Sequence, residues 1–131
     1  MRIQLLFILL TALILAGCST SKQATSTQVK NISQARDDYE RYVLTYYPIA
    51  VEQMTRHNIP ASITLAQGLL ESAAGESKLA VVARNHFGVK CHDWEGDAVK
   101  YKGDCYRMYE SVMESYEDHS QFLLRSRYEP L

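Results

Sequence analysis

The run PASITLAQGLLES, residues 60–72, limits the fold more than any other stretch of the chain. Ile63, Leu65, Ala66, Leu69 and Leu70 cover most of the circumference of a helix, so the spacing predicts a core helix, packed by other elements on several sides. Thr64, Gln67 and Glu71 stand at i, i+3 and i+7, which puts them on one narrow polar ridge of that helix. A polar ridge on a buried helix is expected where the helix borders a wet cleft. A carboxylate in such a place is costly unless it is paired, neutralised or used. A solvated helix end is the plainer account of Glu71, and a perturbed working carboxylate is the sharper one.

The flanking sequence supplies the other elements. From Gln34 to His57, Tyr39, Tyr42, Val43, Tyr46, Ile49, Ala50, Gln53 and Met54 recur at helical steps, and Pro48 is expected to kink this helix or divide it. The HNIP stretch ends it, and Pro60 suits the first turn of the next helix. Ser77 is placed to cap a short helix ending at Val82 or Ala83. NHFG reads as a loop. Val89 to Tyr109, with Gly96, Gly103, Trp94 and several Tyr and Val residues, reads as short strands or a hairpin. Ser111 and Glu114 have capping-box spacing before a last helix whose stripe is Val112, Tyr116, His119 and Leu123. Helices, a small β region and a helix, without internal repeats, indicate an α+β fold, mainly helical with a small β-hairpin lobe.

The first residues bear on the compartment. Met1-Arg2 precedes a run, Ile3 to Leu15, that is apolar apart from Gln4 and Thr11, and LAGC follows. Residues 1–17 read as a signal peptide, since the apolar core is short for a membrane span and ends in small residues. The LAGC ending resembles the lipobox of bacterial lipoproteins, which implies that Cys18 is diacylated and becomes the N-terminus. Ser19 after the cysteine resembles sorting to an outer membrane, facing the periplasm. Residues 18–33, rich in Ser, Thr, Gln and Lys, read as a flexible tether, and residues 34–131 as one modest domain. The net charge of −1 and the absence of a basic patch argue against nucleic acid and are compatible with a neutral polymer. With Cys18 taken by lipid, Cys91 and Cys105 form an even pair in an oxidising space, so a disulfide is expected. The rival is a metal or redox site from Cys91, His92, Cys105 and His119, whose spacing matches no standard zinc pattern. His57, His86, His92 and His119 have no mutual spacing that demands a metal. His119, on the apolar stripe, reads as a hydrogen-bonded core histidine.

Three motifs, IPASITLAQGLLESAAGES, NHFGVKCHDWEGD and YESVMESYEDHSQFL…SRY, occur in this order between residues 59 and 128, within a match that covers residues from about 39 to 128. Together they resemble the glucosaminidase family of peptidoglycan hydrolases, glycoside hydrolase family 73. The resemblance implies a lysozyme-like α+β fold and cleavage of the β-1,4 bond after N-acetylglucosamine in cell-wall glycan strands. It also implies that the glutamate of LES, here Glu71, is the general acid. Such an acid must stay protonated near neutral pH, and an apolar setting favours the uncharged form. Leu69, Leu70 and core packing are expected to supply it. No cofactor and no metal are expected, and a monomer is the expected state.

For the second carboxylate the resemblance offers Asp97 and Asp104, with Asp93 and Glu95 as weaker candidates. The hairpin WEGDAVKYKGDCYR is shorter than in many relatives and lacks their acidic stretch, and solvated turn acids remain the plainer account. Gln67, Asn85, Phe87, Trp94 and Tyr109 match positions expected to line or support the glycan cleft. For Asn85 and Phe87 loop structure and core packing compete with that role. Trp94 is either an exposed platform for a sugar ring or a hairpin core residue. Relatives continue past SRY with a further helical segment and a GYAT…YA-like motif, so the C-terminal part of the domain is expected to be missing. The alternative function is accordingly a non-catalytic wall-binding lipoprotein, an inactive truncated homologue.

Overall fold

The computed structural model describes Gln28, residues 30–33 and residues 35–126. The expected signal peptide, Cys18, most of the expected tether and residues 127–131 lie outside the described residues. Residues 30–33 are helical. Residues 35–126 belong to one compact unit with the order α1 (Asp38–His57), α2 (Ala61–Glu71), α3 (Lys78–Ala83), β1 (Ala98–Tyr101), β2 (Asp104–Arg107) and α4 (Val112–Ser126). This is the α+β arrangement read from the sequence. No described helix is long and apolar enough to cross a membrane.

Local chemistry sets most boundaries. Asp37 caps α1 by accepting the Glu40 amide at 2.8 Å, Asp38 and Glu40 lie at its positive end, and Arg56 and His57 at its negative end. Pro48 does not divide α1. The proline is exposed, so its missing amide faces away from the packed side, where Tyr42, Ala50 and Gln53 are buried. That stripe is narrower than the sequence spacing suggests, because Tyr39, Val43 and Met54 are exposed. Asn58 ends the helix in a left-handed conformation. Ser77 caps α3 through the Ala80 amide. The Ser111 hydroxyl accepts the Glu114 amide at 3.2 Å, and the Glu114 carboxylate accepts the Glu110 amide at 3.0 Å. This capping box therefore reaches one residue further back than the usual pattern. The hairpin pairs Ala98 with Arg107 and Tyr101 with Asp104, and Lys102 and Gly103, both at positive φ, make its two-residue turn.

The packing of α2 departs from the sequence expectation. Its buried face is Thr64, Gly68 and Ser72, whereas Ile63 and Leu70 are 51% and 75% exposed and Ala66 is exposed. The reason lies in what faces it. Helices α1 and α4 bring Tyr42 and Tyr116 against α2, and the loop after α3 brings Phe87. These rings supply the bulk, so the opposing face must be small. A Cβ at Gly68 would lie 2.6 Å from the Tyr42 hydroxyl and 3.0 Å from that of Tyr116, closer than real side chains come.

The core is aromatic and hydrogen-bonded. The Tyr42 hydroxyl lies 2.9 Å from both His86 Nδ1 and the Tyr116 hydroxyl, and the Ser115 hydroxyl accepts the His86 amide. The ring of Tyr46 meets His86 edge-on at 4.9 Å. Burial pushes the His86 imidazole down to about 4. Because the unfolded chain binds that proton near 6.5, this stabilisation is complete above pH 6.5. It falls by about 1.4 kcal/mol per pH unit as the pH drops towards 4. The thermal midpoint should therefore decline between pH 6.5 and 5, with the His86 proton resonances still those of a neutral ring. A His86 that titrates near 6.5 in the folded protein would contradict this.

Candidate active site

Helix α2 ends at Glu71 because the next turn of chain cannot continue it. Ala73, Ala74 and Gly75 all take positive φ, and the Ser72 hydroxyl accepts the Gly75 amide at 2.7 Å. Two consecutive alanines in the left-handed region are strained, and strain of this kind is held only where the surroundings fix the backbone. It leaves Gln67 and Glu71, one helical turn apart, on the same side of α2.

Opposite them runs the segment 85–92. The buried Asn85 amide holds it by donating to the Val89 and Arg107 carbonyls, both at 2.9 Å, while its oxygen accepts the Val89 amide at 3.0 Å. Asn85 is thus a support of the cavity wall. The segment then runs beside β2, with Lys90 bridged to Tyr106 and the Cys91 amide bonded to the Cys105 carbonyl. The Cys91–Cys105 disulfide closes this arrangement, as cysteine counting expects. It also consumes two of the four donors of the rival metal site. Among the described residues no group of three or more His, Cys, Asp or Glu is placed to hold a metal ion.

Between these walls lies a cavity of about 440 Å³ lined by Gln67, Glu71, Phe87, Gly88, Val89, Lys90, His92, His119, Phe122 and Leu123. Glu71 is exposed rather than enclosed by Leu69 and Leu70. The helix turns Leu70 to solvent, so the apolar surroundings of the carboxylate come from the facing wall and from α4. A second space, of about 490 Å³, shares Gln67 and Leu123 and extends along α2 past Ile63 to Pro60 and His57.

The remaining residues singled out in the sequence separate into two places. Gln67, Glu71 and Phe87 line the cavity. Asp104 does not line it, but its carboxylate pairs with Lys90, which does, at 2.9 Å, and this pair holds the Lys90 ammonium above its ordinary pKa. Asp97, Trp94 and Tyr109 line a different depression of about 270 Å³ on the hairpin side. There Trp94 is half-buried. Its indole N–H donates to the Asp97 carbonyl at 2.8 Å, its ring meets Tyr109 edge-on at 5.5 Å, and the Arg107 guanidinium lies 4.9 Å above it. The buried Tyr109 hydroxyl donates to Asp118 at 2.6 Å, and burial with that carboxylate pushes its pKa up. Arg107 grips Asp118 with two contacts of 2.9 Å, tying β2 to α4 beside His119.

His119 differs from its sequence reading in one respect. It is a core histidine, 7% exposed, but its Nδ1 has no hydrogen-bond partner among the described residues. Its ring lies flat on Phe87, with centroids 3.8 Å apart and planes 9° apart. Sequence reasoning missed Val89, Lys90, His92, Phe122 and Leu123 as lining residues. A signal existed for Phe122 and Leu123, which lie three and four residues beyond His119 on one helix. Another existed for Lys90 and His92, which flank a disulfide cysteine.

A helix-borne glutamate on a cavity with apolar walls, facing a hairpin lobe, is the geometry of a lysozyme-like fold. A family model described as mannosyl-glycoprotein endo-beta-N-acetylglucosaminidase matches residues 47–130. The chain belongs to the glucosaminidase family. Exo-glucosaminidase LytG of Bacillus subtilis (strain 168) is 35% identical over 53% of this chain and 29% of that protein. The catalytic domain of the autolysin Auto from Listeria monocytogenes shares the fold at TM-score 0.60 and 23% identity, over 82% of this chain and 68% of that one. The glycoside hydrolase domain of FlgJ from Salmonella typhimurium does so at TM-score 0.59 and 24% identity, over 68% and 62% of the two chains. This chain thus spans under a third of LytG and about two thirds of the solved domains.

Proposed function

We propose that this glucosaminidase-family chain cleaves the β-1,4 bond after N-acetylglucosamine in peptidoglycan glycan strands, with Glu71 as general acid. The observation that carries the reading is the position of Glu71 at the end of α2, on the rim of a cavity with a substantial apolar wall. Among the described residues its carboxyl has no hydrogen-bond or salt-bridge partner, so no described side chain holds it away from a substrate oxygen. Phe87, Val89 and Leu123 give a sugar lying over Glu71 an apolar surface to pack against. Protonation of the leaving oxygen then requires only that the glycosidic bond lie within hydrogen-bond reach of Glu71.

A glycosidase also needs a second acidic group or a substitute for one. Asp104 is the better candidate of the two aspartates, since its partner Lys90 lines the cavity while Asp97 lines the other depression. Incubation with purified peptidoglycan and reducing-end analysis of the fragments tests the reaction. New N-acetylglucosamine reducing ends support it, and their absence refutes it.

We further propose that the protein acts outside the cytoplasm, lipid-anchored through Cys18 at the outer membrane. The support is the LAGC ending and a substrate that lies in the wall. Cys18→Ala should release the protein into the soluble fraction or leave it unprocessed. Membrane fractionation identical to that of the wild type would refute the anchor.

A further inference from the structure

The tip of the hairpin gathers positive charge that nothing around it balances. Lys102, in the turn, and Lys78, the first residue of α3, hold their ammonium groups 5.2 Å and 5.5 Å from the centroid of one ring, Tyr101. That ring is half-buried and lies beside Tyr106, with centroids 6.3 Å apart. Neither ammonium makes an ion pair among the described residues. Of the acids nearest in sequence, Asp104 is held by Lys90 and Glu76 pairs with neither lysine. Asp93, Glu95 and Asp97 precede β1, at the open end of the hairpin. Two like charges over one ring repel each other, and the attraction of the ring for each is modest, so an anion between them is favoured. Both arms that carry these lysines start at the cavity. Lys78 follows Glu71 by seven residues, past the left-handed turn. Lys102 precedes by two residues Asp104, whose carboxylate holds the cavity residue Lys90.

We propose that Lys78, Lys102 and the Tyr101 ring form a seat for the acidic peptide stem that a peptidoglycan strand carries. Stem carboxylates accept from the two ammonium groups, and the exposed part of the tyrosine surface packs against the stem's aliphatic atoms. The sugars of the strand are neutral, so its stems are the charged part for which such a pair of cations is suited. A lipid headgroup offers similar charge, but the two lysines are tied to the cavity that takes the strand, and this favours the stem. The assignment rests on the peptidoglycan reading above and adds a contact outside the cavity. It selects a strand by what it carries rather than by the bond that is cut.

The test compares soluble, uncrosslinked glycan strands with intact stems and the same strands after an amidase has removed the stems and left the lactyl carboxylates. Binding is measured by calorimetry on the full chain in the Glu71→Gln background, which prevents cleavage. At low salt the stem-bearing strands should bind about 5-fold more tightly, and added salt should shrink that preference. The double variant Lys78→Gln, Lys102→Gln should bind the two kinds of strand equally. Lys100→Gln is the control, since Lys100 is a neighbouring exposed lysine on the opposite face of β1 from Tyr101, and it should keep the preference. All three lysines are exposed, so their replacement leaves the packing intact. Equal affinity for the two strands before any lysine is changed would overturn the seat. So would a preference that survives the double variant, or one that Lys100→Gln removes as well, which would mark a diffuse field. Loss of binding to phosphatidylglycerol vesicles in the double variant, without any stem preference to lose, would assign the lysines to a lipid surface instead. Cleavage of peptidoglycan by the wild type without stem preference leaves the glycosidase standing and refutes the seat. Stem preference in a chain whose wild type cuts no peptidoglycan does the reverse.

Discussion

Glu71→Gln should leave the fold intact and remove nearly all turnover on peptidoglycan. The exchange is close to isosteric, and Glu71 is exposed and bears no structural hydrogen bond or ion pair among the described residues, so stability has little to lose. An amide cannot give a proton to the leaving oxygen. General acid catalysis contributes about 10²–10⁴-fold, and kcat should fall by at least that factor while KM changes little. Glu76 is the control. It is also exposed and lies five residues on, past the left-handed turn, but it does not line the cavity. Glu76→Gln should retain most of the wild-type rate. Two small, similar effects would mean that Glu71 is only a solvated helix end. Loss of activity with the unfolding midpoint unchanged separates chemistry from collapse.

The parts of this fold legible in the sequence are those decided within a few residues. Ser77 caps α3, Ser111 and Glu114 open α4, and Lys102-Gly103 turns the hairpin, because each depends on one short side chain or one backbone conformation. The disulfide was legible for a different reason. Reading Cys18 as the lipid site that LAGC suggests leaves Cys91 and Cys105 as an even pair. The buried face of α2 was not legible, because it depends on the bulk of side chains far away in sequence. Tyr42 and Tyr116, 74 residues apart, meet over Gly68, so Ile63 and Leu70, which the periodicity places inside, turn to solvent while Leu65 stays half-buried against the core.

The candidate site divides along the same line. Gln67, Glu71 and Phe87 fall together because one helix face and one adjoining loop hold them. Trp94, Tyr109 and Asp97 share the hairpin's own depression instead, where Asp118 and Arg107 claim Tyr109 and Trp94 for packing. That tie between hairpin and α4 bears on the cavity indirectly, since it fixes the residue next to His119. What brings Lys90 and His92 to the cavity is the long-range clamp of Asn85 on Val89 and Arg107, which no local pattern announces.

The same wall makes the disulfide the second sensitive point. Cys91 and Cys105 are 14 residues apart, and closing a loop of about 15 residues stabilises a domain by about 3 kcal/mol in the chain-entropy model. For a single small domain that is a large part of its stability. Replacing both cysteines with serine should therefore lower the denaturant midpoint by about this free energy. Reductant should reproduce the loss in the wild type and have no further effect on the variant. Activity should suffer beyond what unfolding explains, because Lys90 and His92 flank Cys91 on the cavity lining. The expected signature under conditions where the variant is still folded is a raised KM with a smaller change in kcat. Lys90→Ala is the contrast. It removes only the half-exposed pair with Asp104 and should cost little stability, since such pairs are screened by solvent. Unchanged midpoints on reduction, or two free thiols in non-reduced alkylated protein, would mean that the hairpin is held by the Asn85 clamp and the Arg107–Asp118 pair alone.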